Sequence, residues 1–289
     1  GYAYDDRWKT MTTKDFIKRR LIRLHPMVVL GAVLGVIAFC IQGCEKWDGT
    51  QVSISMVMLA LLINLFLIPA VPGSGPEIRG NGEMYPLNGP SWSLFFEYIG
   101  NVLYALFIHK FSTKALALLV FAAGCGLAAF AILGPYGDIC AGFSLTGTEF
   151  TAGFLRLMFS FSAGLLLFRM FKPARVKGAF WICSLSIVVL LSVPRLGGAE
   201  NLWMNGLYDT VCFALFFPLL VYLGASGKTT DKYTTRICNF LGDISYPLYM
   251  VHYPFIYLYY AWVKNEELTF WESFPGALGV VVGSIVLAY

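Results

Sequence analysis

Three groups of polar residues stand where an apolar chain has little reason to keep them. In the run SWSLFFEYIGNVLYALF, residues 91–107, Ser93, Glu97 and Asn101 recur at i, i+4 and i+8 and so share one face of a helix. A carboxylate at the centre of a membrane helix costs roughly 2.5–3.5 kcal/mol on insertion scales, which makes Glu97 a candidate base, arginine partner or donor-holding group. The plainer alternative is polar glue between helices. In ISYPLYMVHYPF, residues 244–255, Ser245, Tyr249 and His252 follow at i, i+4 and i+7, again one face. Histidine moves protons near neutral pH, and Pro247 and Pro254 are expected to break the helix on both sides and free backbone carbonyls. The alternative is that His252 only hydrogen-bonds a neighbouring helix. In KRRLIRLHP, residues 18–26, Arg20 and Arg23 lie at i and i+3. Two guanidinium forks pointing the same way suit one phosphate-bearing anion, whereas juxtamembrane basic residues also serve simply to bind lipid headgroups and set topology.

The elements that must position these groups are membrane helices. Of 289 residues, 57% are hydrophobic and only 13% charged, with mean hydropathy +0.66, against about 45–50% and 25% in soluble domains. Apolar runs fall at 26–42, 52–70, 91–109, 115–133, 152–170, 178–194, 204–224, 244–262 and 275–289. Each approaches the roughly 20 residues of a spanning helix, so the expected fold is all-α, a polytopic membrane bundle of about nine apolar helices. Residues 12–24 read as a helix on the membrane surface. Thr12 and Asp15 form its capping box, Phe16, Ile17, Leu21 and Leu24 face lipid, and Lys14, Lys18, Arg19, Arg20 and Arg23 form the basic side. Pro26 is expected to end it at His25.

The segment VPGSGPEIRGNGEMYPLNGP, residues 71–90, is too rich in Gly and Pro to be regular helix. At membrane depth such backbone must line a cavity or be covered by protein; otherwise it is a surface loop. The positive-inside rule puts residues 14–23 in the cytoplasm. If all four apolar runs between 26 and 133 span, the later patches Arg169, Lys172, Arg175, Lys177 and Lys228, Lys232, Arg236 fall outside, against the same rule. A re-entrant run, or a misdrawn boundary, is expected around 71–133.

Other features carry less. Asp209 sits just inside a helix, His109 beside Lys110 reads as an interface pair, and Cys40 and Cys44 read as packing. The seven cysteines are scattered and show neither a disulfide framework nor a zinc spacing. No phosphate-binding loop, GxSxG elbow or HExxH motif is present. Both ends read as cut: Gly1 is no initiator, and Tyr289 closes inside an apolar run. The expected organisation is a single domain over 1–289, with 1–25 a cytoplasmic basic amphipathic segment and 26–289 the membrane bundle.

Taken together and in order, FIKRRLIRLHP (16–26), PSWSLFFEYIGNVLYALF (90–107) and LGDISYPLYMVHYPF (241–255) resemble the acyltransferase 3 family of membrane acyltransferases. The resemblance implies transfer of an acyl group, most often acetyl, from acyl-CoA to a hydroxyl of a sugar or cell-surface glycan, with the lipid bilayer as surroundings and a bacterial inner membrane as location. It implies that Arg20 and Arg23 handle the CoA phosphates, that Glu97 is the glutamate of the WSL-x-x-E pattern and that Ser245, Tyr249 and His252 are the late SYPLY-x-x-H-x-P pattern. On this reading Glu97 and His252 are catalytic, and Ser93, Asn101, Ser245 and Tyr249 bind substrate. CoA is a substrate; neither a cofactor, a metal nor a nucleic acid is expected. The family's usual catalytic histidine lies in a first membrane helix that this chain does not contain. Gly1-Tyr2 resembles the end of its second helix, and the chain alone is expected to be inactive. The competing reading is a secondary transporter or flippase, since polar stripes and proline-broken helices serve transporters too.

Overall fold

The computed structural model describes residues 11–229 and 231–289. The expectation placed on Gly1-Tyr2 lies outside them. Among the described residues there are ten α-helices: α1 (Thr13–Ile41), α2 (Ile54–Leu65), α3 (Ser91–Leu106), α4 (Thr113–Leu133), α5 (Gly147–Met170), α6 (Ala179–Leu191), α7 (Trp203–Val211), α8 (Phe217–Ala225), α9 (Lys232–Asn265) and α10 (Phe270–Ala288). A π-helical stretch, Cys212–Phe216, joins α7 to α8. The fold is an all-α membrane bundle, but nine apolar spans is too many. Among the described residues five helices are long and apolar enough to cross a bilayer: α1, α4, α5, the joined α7–α8, and α10; α2 and α6 are apolar but shorter.

Two prolines that should end helices do not. α1 begins on the expected cap, where the Thr12 hydroxyl oxygen accepts from the Asp15 amide at 3.1 Å and donates to its carboxylate at 2.7 Å. It then runs through Pro26 without a break. α9 likewise runs through Pro247 and Pro254. In an apolar setting a helix that stops exposes more backbone than one that loses a single bond, provided that the freed carbonyl finds another donor. The surface-helix reading of 12–24 is corrected with it: Phe16 and Leu24 are buried in protein, whereas Leu21 and Ile22 are exposed.

The described residues divide into two compact units: 11–17, 96–141 and 151–238, and 18–95, 142–150 and 239–289. In the first, Phe16 packs with Tyr104, Ala105, Ile108, Leu116 and Leu165. At this end Arg169 donates to the Phe111 carbonyl at 2.6 Å, and the short parallel pair β1 (Val176–Lys177) and β2 (Gly227–Lys228) joins α6 to the end of α8. At the far end Arg195 pairs with Asp138 at 2.9 Å and Asn205 donates to the Gly137 carbonyl. α6 lies along α7–α8, with Cys183 reaching the Leu220 carbonyl and the Tyr208 hydroxyl the Leu190 carbonyl. α4 and α7 approach closely because Gly206 has no side chain; a Cβ there would lie 2.0 Å from the Ala131 carbonyl oxygen. Lys14, Lys110, Arg169, Lys172, Lys177 and Lys228 therefore belong to one end of this unit, and the parity conflict disappears.

Its source is α2. Twelve residues make about 18 Å of helix, well short of a roughly 30 Å hydrocarbon layer. In the second unit the chain after α2 folds back on itself, with Ala70 donating to the Met84 carbonyl and the Tyr85 hydroxyl to the Leu67 carbonyl. Ile78, Arg79 and the stretch Met84–Asn88 are buried. The later part of the Gly/Pro-rich segment is thus largely covered by protein, whereas Val71, Gly73, Gly75, Gly80 and Asn81 are exposed. Phe39, Val57, Ala60, Ile78 and Leu87 form the core around it, and Ile244, Val251 and Ala288 a second core.

Candidate functional site

Within the second unit, non-helical backbone meets a proline-interrupted helix. Pro254 has no amide to give to the Met250 carbonyl four residues earlier, and the Asn88 side-chain amide gives one instead at 2.9 Å. Asn88 is fully buried. Gly31 of α1 makes room for the pair: a Cβ there would stand 2.2 Å from Asn88 Nδ2 and 2.9 Å from the Met250 oxygen.

Next to this junction the structure joins two sequence motifs. Ser93 Oγ and the Tyr249 hydroxyl are 2.6 Å apart, and both reach the Pro90 carbonyl, at 3.0 and 3.2 Å. One hydroxyl must donate to the other, so the pair forms a short relay ending on a backbone oxygen. One helical turn along α9, His252 Nδ1 lies 3.0 Å from the Leu248 carbonyl and 2.9 Å from the Tyr249 carbonyl. Carbonyl oxygens only accept, so these bonds require a proton on Nδ1, and in the neutral ring the lone pair is then on Nε2. Ser245, on the same helix, donates to the Gly242 carbonyl of its own turn at 2.9 Å. Arg20 and Arg23 sit in the first half of α1, Arg20 half-buried and Arg23 exposed. Glu97, half-buried, and Asn101, buried, belong to the portion of α3 in the first unit. The structure therefore brings Ser93 and Tyr249 into direct contact, sets His252 one turn away and turns Ser245 back on its own helix.

Sequence reasoning missed a second cluster, in the 71–90 segment. Arg79 is wholly buried. Its Nε donates to the Pro86 carbonyl and Nη1 to Gln42 at 3.0 Å, while its guanidinium lies 3.5 Å from the centre of the Tyr257 ring and about 5 Å from those of Trp47 and Phe39. The Tyr257 hydroxyl donates to Glu83. Burial pushes the Glu83 carboxyl above its ordinary range, against the opposing pull of the Tyr257 bond and the Arg79 charge. Three charged residues, Glu77, Arg79 and Glu83, in a Gly/Pro-rich stretch were the available signal. Among the described residues no group of histidines, cysteines and carboxylates is arranged to hold a metal ion.

These contacts tie PSWSL to SYPLYMVHYP, two of the three strings on which the sequence resemblance rests. A family model described as an acyltransferase domain, acyltransferase 3, matches residues 1–289. The chain belongs to the acyltransferase 3 family. No curated protein and no solved structure gives a significant match. Membership makes this an integral membrane acyltransferase. In this acyltransferase 3 chain the Ser93–Tyr249 relay and the Asn88–Met250 bond hold the 88–93 stretch against α9.

Proposed function

We propose that the full-length protein to which this chain belongs moves an acyl group, acetyl in the first instance, from acyl-CoA to a hydroxyl of a sugar or cell-surface glycan. The observation that carries this is the Ser93–Tyr249 contact at the Pro90 carbonyl, with His252 one turn along α9. In such a reaction a base takes the acceptor's hydroxyl proton and the alkoxide oxygen attacks the thioester carbonyl. The tetrahedral intermediate then expels CoA thiolate, which recovers a proton. His252, with Nε2 in its acceptor form, and Glu97 are the candidates for proton transfer. Ser93, Asn101, Ser245 and Tyr249 are assigned to substrate positioning. Arg20 and Arg23 are assigned to the CoA phosphates, since paired guanidinium forks match phosphate geometry. The basic segment 14–23 then faces the cytoplasm of a bacterial inner membrane, in line with the positive-inside rule.

The test supplies labelled acetyl-CoA to membranes carrying the full-length parent protein or its Arg20→Ala/Arg23→Ala variant and follows base-labile label into glycan. Label with the parent and little with the variant supports the reading. Folded protein with no label over several glycan acceptors would turn it towards a transporter, which re-entrant backbone also suits. Glu97→Gln is expected to cut turnover at unchanged abundance; a fall in abundance alone assigns it a structural role.

A further inference from the structure

In the second unit, a cavity of about 460 Å³ opens at the end of α1 remote from Arg20 and Arg23. Gln42, Glu45, Lys46, Trp47, Asp48 and Lys264 line it. The helix from Arg23 to Ile41 spans about 27 Å, close to the thickness of a bilayer's hydrocarbon layer. Three features of this cavity select its ligand. Its four charged side chains cancel, two carboxylates against two ammonium groups, so it offers nothing to a polyanion such as CoA. It mixes donors and acceptors with one indole, the combination that hydrogen-bonds hydroxyls while covering the apolar face of a ring. Its volume lies in the roughly 300–1,000 Å³ range of small-molecule sites.

The cavity wall is also built rather than incidental. The Trp47 amide donates to the Arg79 carbonyl at 3.0 Å, Lys264 holds the Trp47 carbonyl at 2.5 Å, and the indole packs edge-on to Tyr260 with ring centres 5.1 Å apart. Behind it the buried Arg79 fixes Gln42 and stacks near the same indole. The tip is a tight turn in which Lys46 bonds the Thr50 carbonyl and Asp48 accepts from the Thr50 amide at 2.9 Å, a bond that holds the Asp48 carboxyl below its ordinary range and keeps it charged.

We propose that this cavity binds the neutral, hydroxyl-rich sugar that accepts the acyl group, at the end of the unit opposite the donor's arginines. The purpose rests on the acyl-transfer reading; the binding does not. The experiment uses the full protein in lipid nanodiscs free of sugar detergents. Saturation-transfer NMR is run with maltotriose, cellotriose and chitotriose, and acetyl-CoA binding is measured on the same samples. At least one trisaccharide is expected to give transfer from protein, weakened tenfold or more by Trp47→Ala and by Glu45→Gln/Asp48→Asn, with acetyl-CoA binding unchanged. The second variant alters only two side chains of the turn and covers the case in which Trp47→Ala does not fold. Repeating the measurement with the same sugar carried on a lipid separates a soluble acceptor from a glycolipid. No transfer to any neutral sugar, or transfer that both variants leave intact, overturns the proposal. Loss of acetyl-CoA binding by the parent counts instead against the donor reading.

Discussion

Arg79 shows what a single buried cation does in a membrane-embedded fold. Its charge is answered by the faces of Tyr257, Trp47 and Phe39, by two hydrogen bonds and by the nearby Glu83. Desolvated cation–π contacts are worth about 2 kcal/mol or more, and stripping one partner from a buried charged cluster costs about 3–5 kcal/mol. Arg79→Ala is therefore expected to lower the yield of folded protein sharply, read as the monodisperse fraction in detergent. Lys at this position should recover little, because an ammonium has no planar fork to stack. Glu83 supplies a pH dependence of defined sign. Its folded-state carboxyl is raised, mainly by burial, so the folded state binds the proton more tightly than the unfolded state. Stability then falls as pH rises from the unfolded value of about 4.3 through the raised folded one. Glu83→Gln should flatten that fall in thermal melts between pH 4 and pH 8; an unchanged slope would assign the dependence to another group. At this scale helical spacing marked Ser93 and Tyr249 as polar positions of two apolar helices, but not as partners. It could not disclose Arg79, whose partners come from positions 39, 42, 47, 86 and 257 and share no periodicity.

At the scale of the element, the informative departures are the prolines. Sequence rules end a helix at Pro26, Pro247 and Pro254, and α1 and α9 continue through all three. The local rule assumes that water can take a freed backbone group, whereas here a distant side chain does so at Met250. This makes a coupling measurable. Asn88→Ala leaves the Met250 carbonyl without its donor and should cost about 1–3 kcal/mol. In a Pro254→Ala background the restored amide of residue 254 can serve that carbonyl, and the same change should cost much less. Equal costs in both backgrounds would sever the link between proline and asparagine. Gly31→Ala should be as damaging as Asn88→Ala because of the 2.2 Å approach, whereas Gly164→Ala, with nothing within 4 Å, should be neutral. The boundaries of α2 were illegible for a related reason. The apolar run 52–70 is long enough to span, but its last residues belong to the folded-back segment.

For the molecule as a whole, the disposition of charge is the testable quantity. Single cysteines placed in a cysteine-free background at Lys110, Lys177 and Lys228 should react with a membrane-impermeant maleimide from one side only. Cysteines at Glu200 and Arg195 should react only from the other. Mixed labelling within either set would contradict the placement of the basic residues at one end of their unit. Fold class and membership in the family were readable from hydropathy and three short strings, because both depend on local composition. The division into two units was not, since each is assembled from three separated stretches of chain. One consequence concerns the order in which the protein is made. Asn88 and Met250 are 162 residues apart in sequence, and a ribosome adding about 5–20 residues per second needs about 8–32 s to emit that interval. Throughout this time the 66–90 segment has left the ribosome while the helix that covers it has not. Its maturation is thus tied to completion of the C-terminal helices, and a chain truncated before α9 should leave this segment open to proteolysis where the finished protein does not.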